Sequence, residues 1–113
     1  MKINRKDRIN ILIILRYIKD IYSYLKDKKL DELYYNSMLY DAICMKLFQI
    51  GEVSIRLSQS FKNSTKEIPW IKIKGFRNIS AHSYLDVRIH QIIKVLNTDL
   101  INLEKVLSKF DLT

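Results

Sequence analysis

Ile11, Ile14, Leu15, Ile18, Ile21, Tyr22 and Leu25 recur at intervals of three and four residues. That spacing lays one apolar stripe along an α-helix, and no strand keeps it on one face. The pattern returns at length in Leu39, Ile43, Leu47, Ile50, Leu57 and Phe61. It returns again in Ile89, Ile92, Ile93, Leu96, Leu100, Leu103, Val106 and Leu107. Only two Gly and one Pro occur in 113 residues, too few turn formers for a β-sandwich or an α/β fold. The expectation is an all-α fold, an up-and-down bundle of four main helices, in one domain covering residues 1–113.

The first helix is expected over residues 4–28, with Asn4 and Asp7 as a weak capping pair. Leu12 and Ile13 widen its stripe, which suggests burial on two sides, one of them against a second copy of the chain. A polar hinge follows, with room for one short helical turn. The second helix is expected over 36–61 and holds Gly51, which costs helix stability and points to close approach by another backbone. Pro69 opens a third helix ending near Ser83 or Tyr84. Asp86 is expected to cap the last helix, over 87–110.

Lysines and arginines number 20 against 12 acidic residues, a net charge of +8. Such a field favours anionic partners, nucleic acid and nucleotides among them. Lys outnumbers Arg and the lysines are scattered, however, which fits a merely solvated surface equally well. The single cysteine, Cys44, falls in an apolar helical pattern and reads as a small buried hydrophobe. Two His and no CxxC leave no metal-ligand cluster, so no cofactor is expected. The apolar run at 9–18 is short and is interrupted by Arg16 and Lys19. A cytoplasmic chain without membrane span or signal peptide is therefore expected.

The rare residues gather in IPWIKIKGFRNISAHSYLDV, residues 68–87. On one ideal helix Arg77 and His82 point about 140° apart, whereas Asn78 and His82 share a face, as do Lys74 and Arg77. Arg77 then joins His82 at one anion through its long side chain, through a bend at the helix end, or from a second subunit across a two-fold axis. The residue types suit RNA cleavage. His serves as base or acid near neutral pH, and Arg offers a planar fork to phosphate oxygens. A chance pairing accounts for the spacing as well. Trp70 reads as a core residue, Tyr84 as a bundle tyrosine, and His90 carries no role.

Ile68, Pro69 and Trp70, then Gly75, Phe76, Arg77 and Asn78, then His82 and Tyr84 together resemble the signature of the HepT-like family, a branch of the HEPN superfamily. Asp41, Ala42, Ile50, Gly51 and Glu52 are similar to its second-helix pattern. The resemblance implies an all-α homodimer acting as a metal-independent endoribonuclease on cellular RNA, tRNA among the candidates. It implies the toxin of a two-gene toxin–antitoxin module whose antitoxin is an MNT-type nucleotidyltransferase. Carried over, Arg77 and His82 are catalytic, Asn78 supports them, and Tyr84 accepts AMP and silences the toxin. Lys72 and Lys74 are candidate phosphate contacts. The alternative is a non-catalytic subunit that docks a nucleotidyltransferase and binds nucleotide through the same residues. A basic helical nucleic-acid binder is the weakest option, since no recognition helix stands out.

Overall fold

The computed structural model describes residues 2–80 and 84–113. Among these residues all regular structure is helical. Helix α1 spans Arg5–Leu25, α2 Ser37–Ser54, α3 Gln59–Ser64, α4 Trp70–Lys74, α5 Asp86–Asn97 and α6 Asp99–Leu107. Two 3-10 turns, Leu30–Tyr34 and Gly75–Asn78, complete the set. Helix α2 is the spine: it lies against α1 on one side and against α4 and the Gly75–Asn78 turn on another. Helix α6 closes on α5 and α1.

The stripes read from the sequence are the core. Ile11, Ile14, Ile18 and Ile21 of α1 meet Ile43, Leu47 and Ile50 of α2 with no side chain exposed. Each contributes about 1.5–3 kcal/mol by leaving water. Leu100, Leu103 and Leu107 of α6 and Ile89 and Ile92 of α5 finish the same cluster. No helix among the described residues is long and apolar enough to cross a membrane.

The first helix ends at Leu25, short of the expected 28, and the other three expected helices are shorter or broken. The second stops at Ser54, and Ser58 restarts the chain as the N-cap of α3, its hydroxyl accepting from Phe61 N–H at 3.1 Å. The cause lies far away in sequence. Asp7, 2% exposed, accepts from Ser58 N–H at 2.8 Å and from the Ser58 hydroxyl at 2.5 Å. Its own N–H donates to Asn4 Oδ1 at 2.7 Å, so the expected cap of α1 is present and also pins the α2–α3 corner. The last helix breaks at Thr98, whose hydroxyl turns back to the carbonyl of Lys94 at 2.7 Å, and Asp99 starts α6. Asp86 is the first residue of α5 rather than its cap; Leu85 holds the cap position without a side-chain bond. The third helix ends early, as described below.

Asp7→Ala leaves the Ser58 amide and hydroxyl without their charged acceptor in a buried place. Loss of two charge-assisted bonds is expected to cost about 3 kcal/mol. In a domain of this size that lowers Tm by about 10 °C, read by circular dichroism. An unchanged Tm would show that water replaces the carboxylate at no cost.

Candidate functional site

Ile73 and Phe76 are buried and hold α4 and the following 3-10 turn on α2. The turn comes down directly on Gly51, where a Cβ atom would lie 2.7 Å from the Arg77 amide nitrogen and 3.1 Å from the Phe76 carbonyl carbon. The mid-helix glycine is thus the seat of the Arg77 backbone, the close approach that its position in the sequence suggested. After Asn78 the chain leaves the helix, with Ile79 at φ −71°, ψ 127°. The third helix therefore ends at Asn78, and the expected continuation toward Ser83 or Tyr84 is interrupted at Ile79. A helix-end bend, one of the routes open to Arg77, is present. His82 itself lies outside the described residues, as does Ser83.

Both ends of this segment are fastened to α2. At one end Arg77 Nε donates to Glu52 Oε1 at 2.8 Å. The side chains are 41% and 37% exposed, so the pair adds little to stability. Its effect is orientation: a carboxylate on Nε fixes the plane of the guanidinium, as a fork for phosphate oxygens requires. At the other end the Tyr84 hydroxyl donates to Asp41 Oδ1 at 2.8 Å, and its ring lies 5.5 Å from that of the buried Tyr40. Tyr84 remains 50% exposed. Its phenol is held above the ordinary tyrosine range, first by donation to the Asp41 carboxylate and then by partial burial. Below it, burial pushes the Cys44 thiol up to about 11, which agrees with a structural cysteine.

Asp41 and Glu52 are eleven residues apart, which on a helix is about 20° of rotation and about 16 Å of rise. One face of α2 thus presents two carboxylates, one to Arg77 and one to Tyr84. Arg88 of α5 adds a third tie, its Nη2 donating to the Asn78 carbonyl at 3.3 Å. The sequence reading did not give Asp41, Glu52 or Arg88 any contact in the site. The eleven-residue interval between the two acids of this helix was the signal for the first two. Nothing local marked Arg88.

Beside Arg77 an open hollow of about 450 Å³ is lined by Glu52, Ile71, Lys74, Gly75 and Asn78 as well. Lys74 therefore shares a surface with Arg77. Lys72 points elsewhere: its ammonium pairs with Asp99 at 3.4 Å, at a separate hollow formed with Arg88 and α5. Trp70 is half-buried, its indole N–H donating to Thr65 Oγ1 at 3.0 Å and its ring edge-on to Phe61. His90 is exposed.

Asp41→Asn removes the charge that holds the Tyr84 proton. The Tyr84 titration midpoint is expected to fall toward the ordinary tyrosine value. Carbon-13 NMR of labelled tyrosines checks this, with Tyr84→Phe assigning the signal. A midpoint that stays put would place the cause of the shift elsewhere than Asp41.

A family profile described as "Ribonuclease HepT-like" matches residues 14–110. Two proteins of Methanocaldococcus jannaschii are similar. "Putative RNase MJ1380" is 28% identical over 92 residues, covering 81% of this chain and 84% of its own. "Gamma-glutamylcyclotransferase and putative RNase MJ0434" is 30% identical over 106 residues, covering 93% of this chain and 48% of its own. The chain thus spans about half the length of that second relative. No solved structure matches.

Proposed function

The chain belongs to the HepT-like ribonuclease family, and from that premise we propose that it cleaves RNA without a metal ion, at a centre built on Arg77 and His82. The observation that carries this is the fastening of Arg77 to Glu52 at the rim of an open basic hollow, at one end of the segment that contains His82. In this scheme Arg77 meets the non-bridging oxygens of the scissile phosphate and offsets the charge that builds there. His82 takes the proton of the adjacent 2′-hydroxyl, whose oxygen then attacks phosphorus. The bond to the 5′-oxygen breaks and that oxygen takes up a proton, the second His82 of a homodimer serving as acid. The products are a 2′,3′-cyclic phosphate and a 5′-hydroxyl. Asn78 supports the pair at the turn, and Lys74 adds positive charge to the same hollow. Lys72 is a more distant phosphate contact.

A homodimer is supported by apolar side chains exposed around the site: Met38 and Met45 on the outer face of α2, and Ile71 and Leu85 beside it. Met45 falls between Asp41 and Glu52 on that face, so a second copy docking there would bring two centres together.

The protein acts, in this proposal, as the toxin of a toxin–antitoxin pair in the cytoplasm, silenced when a nucleotidyltransferase partner adds AMP to Tyr84. The exposed phenol and its hydrogen bond to Asp41 support the acceptor role. As the Tyr84 oxygen bonds to the α-phosphorus of ATP and pyrophosphate leaves, Asp41 is placed to receive the phenolic proton. The added phosphate would put bulk and negative charge two residues from His82, where an RNA phosphate would otherwise sit.

The test is cleavage of tRNA and total RNA in EDTA by protein shown unmodified by intact mass, with analysis of the product ends. Cyclic phosphate ends from wild type, absent with His82→Ala, support the mechanism. No cleavage by unmodified protein would move the chain to the non-catalytic, partner-binding alternative.

A further inference from the structure

We propose that a second hollow, walled by Trp70 and edged by Lys62, Lys66 and Lys74, is a binding site for the RNA strand beyond the scissile phosphate. This rests on the ribonuclease proposal for the nature of the ligand. The hollow measures about 360 Å³, and Gln59, Ile68 and Ile71 complete its lining. Its position is the first argument. Ile71 and Lys74 line both it and the hollow beside Arg77, so the two hollows are neighbours on one surface. A strand whose phosphate lies at Arg77 has this groove beside it along α4.

Charge is the second argument. No Asp or Glu lines this hollow. Four basic side chains pair with carboxylates, Lys46 and Arg16 with Asp20, Lys72 with Asp99 and Arg77 with Glu52. Among the described residues, Lys62, Lys66 and Lys74 have no carboxylate at ion-pair distance. Lys62 is half-buried, and its ammonium is held below the ordinary lysine range by that burial and by the like charge of Lys74. Asp7 opposes this only weakly. A wall that gathers three lysines with no carboxylate in its lining favours an anion, whose arrival relieves the repulsion. Nucleic-acid grooves combine such a basic track with a fixed aromatic wall. Here the wall is set by the Trp70–Thr65 hydrogen bond and the Phe61 edge contact.

Trp70 is the only tryptophan of the chain, so its fluorescence reports occupancy of this hollow directly. The probe is a 2′-O-methyl RNA 12-mer, which lacks the attacking hydroxyl and binds without being cut. Wild type is expected to show a saturable change in Trp emission, with affinity falling steeply as salt rises. The double variant Lys62→Glu, Lys66→Glu is expected to weaken binding at least tenfold and to reduce the salt slope by about one for each lysine lost. Lys66→Glu alone, at an exposed position, gives a smaller loss in the same direction without risk to folding. Lys19→Glu, on the exposed face of α1, makes the same charge change away from the groove and is expected to leave affinity within about twofold. Equal losses from Lys19→Glu and Lys66→Glu would reduce the effect to net charge and overturn the proposal. So would wild-type binding with no Trp response. Because the probe is never cleaved, failure of this site leaves the EDTA cleavage result untouched, and an inactive wild type that still binds at Trp70 would sink the ribonuclease reading alone.

Discussion

Arg77→Ala is expected to lower RNA cleavage by about a thousandfold while leaving Tm nearly unchanged. The magnitude follows from removing one positioned donor from a developing oxyanion, which costs about 10²–10³ in rate. The unchanged stability follows from exposure: the Arg77–Glu52 pair stands in solvent and contributes little to folding. Arg77→Lys is expected to recover only a small part, since an ammonium has neither the planar fork nor the Nε contact that Glu52 makes. Single-turnover cleavage of a defined oligonucleotide gives the rate, and product ends give the chemistry. His82→Ala should fall at least as far if it supplies both base and acid across a dimer. Cleavage within tenfold of wild type in either variant would remove that residue from the reaction.

Gly51 is the second place where a small change should have a large effect. In an ordinary exposed helix, Gly→Ala stabilises by about 1 kcal/mol. Here the added methyl meets the amide nitrogen of Arg77 at 2.7 Å, an atom of the main chain that no rotamer can move aside. Forcing it apart costs about 1–3 kcal/mol. Gly51→Ala is therefore expected to come out destabilising, and Gly51→Val, with two further methyl groups, by about 3 kcal/mol or more. Urea denaturation measures this. Cleavage should fall further than stability explains, because the atoms displaced belong to Arg77 and Phe76. A rise in the urea midpoint on Gly51→Ala would mean that the turn retreats freely and that helix propensity wins.

The sequence was most readable where one interaction dominates. The isoleucine stripe of α1 and the Leu–Ile stripe of α2 follow from periodicity alone, since burial of each side chain outweighs any local preference. Cys44 followed from the same stripe. Gly51 was readable because a costly residue in a helix needs a neighbour. The breaks were not readable. Ser58 interrupts its helix because of Asp7, and the stripe runs through Leu57 and Phe61 on both sides of the corner. Thr98 likewise breaks a helix without disturbing the apolar spacing of Leu96 and Leu100. The end of α4 at Asn78 mattered most for the site. Idealised helix angles applied to Arg77, Asn78 and His82 described a ridge that the chain abandons after four residues of 3-10 turn.

Helix α2 also works as a ruler. Its two marks are Asp41 and Glu52, set three turns apart, and the segment from Arg77 to Tyr84 is measured against them. A ruler of this kind tolerates many substitutions between its marks but not a change in length. One residue inserted between them would turn the marks about 120° apart and free one end of the segment. Four inserted residues would nearly restore the face yet lengthen the interval by about 6 Å. Variation among related chains should therefore appear in the letters of this stretch and rarely in its length, and a designer wishing to retune the site should move its two carboxylates by whole turns.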